Sequence, residues 1–103
     1  MSKITSYRQG DVLLVKVDSK DLVLSNELIS PILSEGEVTG HKHEIINGTV
    51  HNRQWNSLDR YVKSDGGTVL THPEHGHIKI NKGIWEVRIQ REYDELENRF
   101  VAD

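Results

Sequence analysis

The 103-residue chain contains no cysteine. That excludes a disulfide scaffold, a thiol nucleophile, thiolate zinc sites and iron–sulfur ligation through cysteine. It also lacks any apolar run near the roughly 20 residues needed to span a bilayer. Met1 to Gly10 is polar and carries no apolar signal core, so the expected compartment is the cytoplasm, with no membrane partner. Asn47-Gly48-Thr49 matches a glycosylation acceptor in form, but without a secretion signal it reads as a turn. No block of one charge is present. Thirteen Lys and Arg interleave with sixteen Asp and Glu for a net charge of −3. That balance argues against a nucleic-acid partner, which usually meets a basic stripe.

Several catalytic signatures are missing as well. There is no G-x-S-x-G, no phosphate loop, no G-x-G-x-x-G and no recognisable Ser-His-Asp set. Paired H-x-T or H-x-S motifs are absent too. An HNH-type nuclease needs a hairpin followed by a helix, and no helix pattern follows the histidines.

What is present reads as β structure. The length fits one domain over residues 1–103, large enough to bury a core without metal or disulfide staples. At 35% hydrophobic residues, that core should be thin. Residues 11–17 (DVLLVKV) form the clearest strand, apolar on both faces and therefore flanked or sandwiched. Residues 18–30 read as a short helix or a loose strand crossing. A short strand at Ile32-Leu33 follows Pro31 and ends at Gly36. Asn47-Gly48 predicts a hairpin pairing HKHEII with TVHN. A loop over 53–58 carries Trp55, exposed or half-packed. Further strands are expected at Arg60–Lys63, Thr68–His72, His77–Ile80 and Ile84–Tyr93, with a terminal edge strand at Arg99–Ala102. In the long strand, Trp85, Val87 and Ile89 share the buried face with Arg91 and Tyr93. Arg91 there needs a partner or an opening to water. Asp94, Glu95 and Glu97 read as a solvated surface run. Many short strands with regular turns indicate an all-β single small barrel or sandwich with little or no helix.

All six histidines lie between residues 41 and 77. They form two clusters, His41-Lys42-His43 and His72-Pro73-Glu74-His75-Gly76-His77, with His51 apart. On a strand, residues two apart share a face, so His41 and His43 present two imidazoles side by side. A divalent metal accepts neutral imidazole nitrogen at about 2.0–2.1 Å, and two such rings begin a site. His41, His43 and Ile45 share one face, and Leu70 shares one with His72, so these three histidines should point inward. His77 is opposite in parity to Ile78 and Ile80 and should face solvent. The metal ligands expected are therefore His41, His43 and His72, then His75, with Glu74 and His77 behind and His51 last. The plain alternative is a set of surface or satisfied histidines forming a mild pH-sensitive patch.

The layout resembles the cupin superfamily, whose first motif is G-x5-H-x-H-x3-4-E-x6-G and second G-x5-P-x-G-x2-H-x3-N. Gly36 with His41-Lys42-His43 matches the start of the first, one residue short. Gly67, Pro73, His77 and Asn81 follow the second. No glutamate follows His43 at the family spacing, and Glu44 points to the opposite face; His75 stands near the displaced glycine. The resemblance implies a small cupin or jelly-roll barrel holding iron, manganese, zinc or nickel. The stretches GEVTGHKH and LTHPEHGHIKINKGIWEVRIQREYD are also similar to small uncharacterised bacterial and phage proteins. Three functions compete. The first is a metal-binding, cupin-like domain with a small-molecule ligand and possible metal-dependent activity. The second is a non-catalytic, metal-free β-barrel interaction or accessory protein, phage-related. The third and weakest is a metal-dependent nuclease. A homodimer through an exposed strand fits any of them.

Overall fold

The computed structural model describes residues 4–18, 20, 22–36, 40–54 and 56–90. Ten strands build it: β1 (Ser6–Gln9), β2 (Val12–Val17), β3 (Leu24–Leu28), β4 (Ile32–Glu35), β5 (Lys42–Ile46), β6 (Thr49–Arg53), β7 (Asn56–Ser64), β8 (Thr68–Thr71), β9 (Ile78–Ile80) and β10 (Gly83–Ile89). No helix occurs among the described residues. The strands form two antiparallel sheets, ordered β1-β2-β10-β7-β6-β3 and β4-β5-β8-β9. The all-β sandwich expected from strand spacing is the architecture observed.

Alternation places the core. Val12 and Leu14 of β2, Trp85 of β10, Val62 of β7 and Val50 of β6 are buried on the six-stranded sheet. Leu33, Ile45, Leu70 and Ile80 meet them from the four-stranded sheet. Trp85 is fully buried, packs on Tyr7 with ring centroids 4.9 Å apart, and donates its indole N–H to the Asn81 carbonyl at 3.0 Å. Truncating such a residue to alanine typically costs about 3–5 kcal/mol. β2 lies between β1 and β10 in its sheet, with Val12 and Leu14 buried on the inner face and Leu13, Val15 and Val17 half-buried on the outer one.

Two local expectations are corrected. The Asn47-Gly48 hairpin does not form. β5 belongs to the four-stranded sheet and β6 to the six-stranded one, so this corner carries the chain between layers. A type I′ turn needs positive φ at both central residues, and only Asn47 has it, at 59°. Gly48 is required for space instead. A Cβ there would lie 2.5 Å from Thr68 Oγ1 and 3.1 Å from the Lys63 carbonyl oxygen. Thr68 donates its hydroxyl to the Asn47 carbonyl at 2.8 Å and holds the corner. Crossing here buries Ile45 and Val50 from opposite sheets.

The second correction concerns residues 53–58. They are not a loop, because β7 begins at Asn56, which pairs with Arg53. β6 pairs with β7 here, and not with β5 as the Asn47-Gly48 signal predicted. The described residues of 18–30 supply β3, an edge strand, and no helix. Trp55, Arg91, Tyr93, the acidic run from Asp94 and the Arg99–Ala102 strand lie outside the described residues.

Candidate metal centre

Three segments converge at one end of the sandwich. The first is the β1–β2 hairpin. Gln9 pairs with Val12 across a two-residue turn whose positive φ is confined to Gly10, at 59°. That is the type II′ form, which favours glycine at this position. Gly10 also permits close approach: a Cβ would lie 2.9 Å from His75 Nε2 and 3.0 Å from His43 Cε1. The Asp11 carbonyl accepts the Gln90 N–H at 2.8 Å, tying the turn to the end of β10.

The second segment is β5, which carries His43, with His41 just before it. The third is the end of β8 and the loop after it. Glu44 pairs with Thr71, so the next step of that register sets His43 opposite His72. Their ring centroids are 4.3 Å apart. Pro73 then ends the ladder, and the loop returns His75 over the pair, 4.4 Å from His72 and 5.8 Å from His43.

The inward parity expected for His43 and His72 matches their burial, with 5% and 7% exposure. His41 is partly exposed and sits edge-on to His72 at 5.6 Å. His75 is exposed. His43, His72 and His75 each offer a ring nitrogen within 4.8 Å of the others, a grouping that could hold a metal ion. A tetrahedral ion with bonds near 2.05 Å would draw such nitrogens to about 3.3 Å. His41 lies outside that triplet but lines the same cavity, and its Nδ1 is 3.0 Å from Glu74 Oε1. His77 is exposed and also outside the triplet. The resemblance would make it the ligand, yet His75 occupies the place beside His43. Glu44 is half-buried and not in the group. His51 is on the other sheet, between Ser25 and Thr49.

Two residues essential to the geometry escaped the sequence reading. Gln9 donates its amide N–H bonds to the carbonyls of Leu70 (3.1 Å) and Gly76. Its Oε1 is thereby fixed as an acceptor, 2.9 Å from His43 Nδ1. His43 Nδ1 must carry the proton, and its Nε2 then faces Asp11 Oδ1 at 3.2 Å. Ser34 Oγ donates to the other Asp11 oxygen at 3.4 Å. The only signal in the sequence was Gln9-Gly10 as a turn ahead of the 11–17 strand, with nothing to say what the turn would touch.

A family model matches residues 8–90 of the chain. The chain belongs to the DUF8820 family, a domain of unknown function. Neither the curated proteins nor the solved structures gave a match. The span matched to DUF8820 includes Gln9, Asp11 and all six histidines.

Electrostatics separates the rings. Burial pushes the His43 pKa below its usual 6.5, helped by His72 and opposed by Asp11, with His75 lowering it further. Desolvation disfavours the charged form, and here it outweighs the one carboxylate. His72 is likewise lowered by burial, then by His75 and His41, against Glu74 and Asp11. Its hydrogen bonds agree, because His72 Nδ1 accepts the backbone N–H groups of Glu74 (3.0 Å) and His75 (3.1 Å).

The rings open onto a 190 Å³ cavity bordered by Asp11, Ser34, His41, Glu74 and His75. A neighbouring groove of 380 Å³ runs past His41, Glu44 and His77. A larger cavity of 790 Å³ lies at the Asn47 corner beside Lys63, Asp65 and Lys82, and no histidine lines it. Size and chemistry point to different places, and the convergent titratable groups make the small cavity the better candidate. No helix among the described residues is long and apolar enough to cross a membrane.

Proposed function

We propose that this domain is a small cupin-like metal-binding protein that holds one divalent ion in its histidine cluster and presents it to a small molecule. The ion is zinc, iron, manganese or nickel. One observation carries the reading: His43, anchored at Nδ1–H by Gln9, aims its other nitrogen into the cavity shared with His75 and His72. Metal-binding histidines typically donate their second N–H to a carbonyl or carboxylate, which fixes the tautomer and the ring direction. The 190 Å³ cavity suits a ligand of a few heavy atoms. A metal there supplies Lewis acidity and an activated water. The chain contributes an anchored imidazole, neighbouring carboxylates for proton handling and a polar mouth.

A second reading has its own support. The 3.2 Å approach of His43 Nε2 to Asp11 is also an ion-pair distance. The cluster would then be a polar plug in a metal-free interaction module, with Val23 and Leu28, 57% and 63% exposed beside and on edge strand β3, available to a partner.

Metal content separates the two. Protein purified without a histidine tag should carry near-stoichiometric divalent metal, and His43→Ala should lose it while remaining folded. Wild-type protein that stays metal-free after incubation with zinc, manganese, iron and nickel would leave the interaction module as the account.

A further inference from the structure

We infer, resting on the metal-binding reading above, that the Asp11 carboxylate completes the site beside His43 and His75, and that His72 is not a ligand. A count of protons and lone pairs leads there. Gln9 has both its N–H donors committed to the Leu70 and Gly76 carbonyls, so only its oxygen faces His43 Nδ1. A neutral imidazole has one N–H and one lone pair. With the proton at Nδ1, the His43 lone pair at Nε2 points at Asp11 Oδ1, 3.2 Å away. Two electron-rich atoms facing each other, one on a buried ring and one on a half-buried carboxylate, call for a cation between or beside them. A divalent ion meets both.

His72 presents the opposite pattern. Its Nδ1 lone pair is taken by two backbone N–H groups, those of Glu74 and His75. Neutral His72 therefore carries its proton on Nε2 and has no second lone pair for a metal. It acts as a turn acceptor that positions the loop bearing Glu74 and His75. His75 has no hydrogen bond to its ring nitrogens among the described residues. Its ring lies nearly parallel to His43, at 16°, and against the Gly10 turn that precedes Asp11. The donor set is then two imidazole nitrogens and a carboxylate from three segments; Asp11 stands outside the His43–His72–His75 triplet and joins the set through its 3.2 Å approach to His43 and the cavity it lines with His75. Such a mixed set leaves positions open and suits an exchangeable divalent ion more than a closed structural one.

The test compares three variants of the full chain, stripped with chelator and titrated with Co²⁺ and Zn²⁺. Asp11→Asn keeps the shape and removes the charge. His72→Asn keeps an acceptor able to bond the N–H two residues on. His43→Ala reports the metal reading itself. We expect Asp11→Asn to weaken binding more than about 100-fold, beyond the roughly 10- to 100-fold for residues that merely orient a ligand. Its Co²⁺ absorption spectrum should also change. His72→Asn should retain wild-type affinity and spectrum, with near-ultraviolet circular dichroism from Trp85 confirming the fold of each.

If His43→Ala loses metal while Asp11→Asn binds as wild type, or weakens with an unchanged Co²⁺ spectrum, the inference fails and the metal reading stands. A folded His72→Asn that loses metal as fully as His43→Ala also overturns it. Wild type that takes up neither ion sinks both.

Discussion

His43 and His51 both sit two residues from a buried or half-buried strand neighbour, and both have both ring nitrogens engaged, yet they do opposite things. His51 donates from Nδ1 to the Ser25 carbonyl at 2.9 Å and accepts the Thr49 hydroxyl at Nε2, 2.7 Å away. A neutral imidazole satisfies that site completely. His43 faces two acceptors, the Gln9 carbonyl and the Asp11 carboxylate, and a neutral imidazole satisfies only one. The difference lies in the donor or acceptor character of what surrounds each ring.

The largest effect should come from exchanging the two histidines' fates. His43→Ala should abolish Zn²⁺ binding in calorimetric titration, and His51→Ala should leave it unchanged at a stability cost of about 1–3 kcal/mol. Equal loss in both would erase the contrast. Next comes the group that fixes the tautomer. Gln9→Leu should weaken Zn²⁺ about 10- to 100-fold, and it strands the Leu70 and Gly76 carbonyls, so the urea midpoint should fall too. Unchanged affinity would mean the His43 ring needs no anchor.

A smaller effect is expected from the turn. Gly10→Ala must hold φ near 59° with its Cβ 2.9 Å from His75 Nε2, at about 1–3 kcal/mol. Gly40→Ala has similar φ, 73°, and open space, so its thermal midpoint should drop less. Equal drops would deny that the turn is packed against the rings.

The smallest effect is on pH. The folded pKa values of His43 and His72 lie below the unfolded 6.5. Between those values the unfolded chain binds more protons, so metal-free stability rises with pH. It is fully present above 6.5 and is lost as pH falls through the folded values. Urea unfolding across that window should show this slope in the wild type and in His51→Ala, and a shallower one in His43→Ala. A slope of the opposite sign would mean that His43 is held protonated by Asp11.

Much of the fold could be read in advance from particular runs. DVLLVKV and IWEVRIQ announced β2 and β10, because alternation is a local property. Parity set His43 with Ile45 and His72 with Leu70, and all four are buried. Asn47-Gly48 misled because a turn signal does not say which sheet the chain enters next. That choice depended on Thr68 and Lys63, fifteen or more positions away by pairing and packing. Gln9 and Asp11 were invisible as site residues for the same reason. They lie more than thirty residues from His43 in sequence and meet it only once β1 packs near β9. The turn contacts of His72 were out of reach in the same way: its spacing shows a ring, while its Nδ1 accepts two backbone N–H groups of the loop that follows.

The most direct test of the central claim is imidazole ¹H–¹⁵N correlation spectroscopy of His43 near pH 7, without and with one equivalent of Zn²⁺. The account predicts a neutral Nδ1–H ring whose Nε2 resonance shifts sharply on adding metal, while His51 stays fixed. An imidazolium signature at His43 that metal leaves untouched would contradict it.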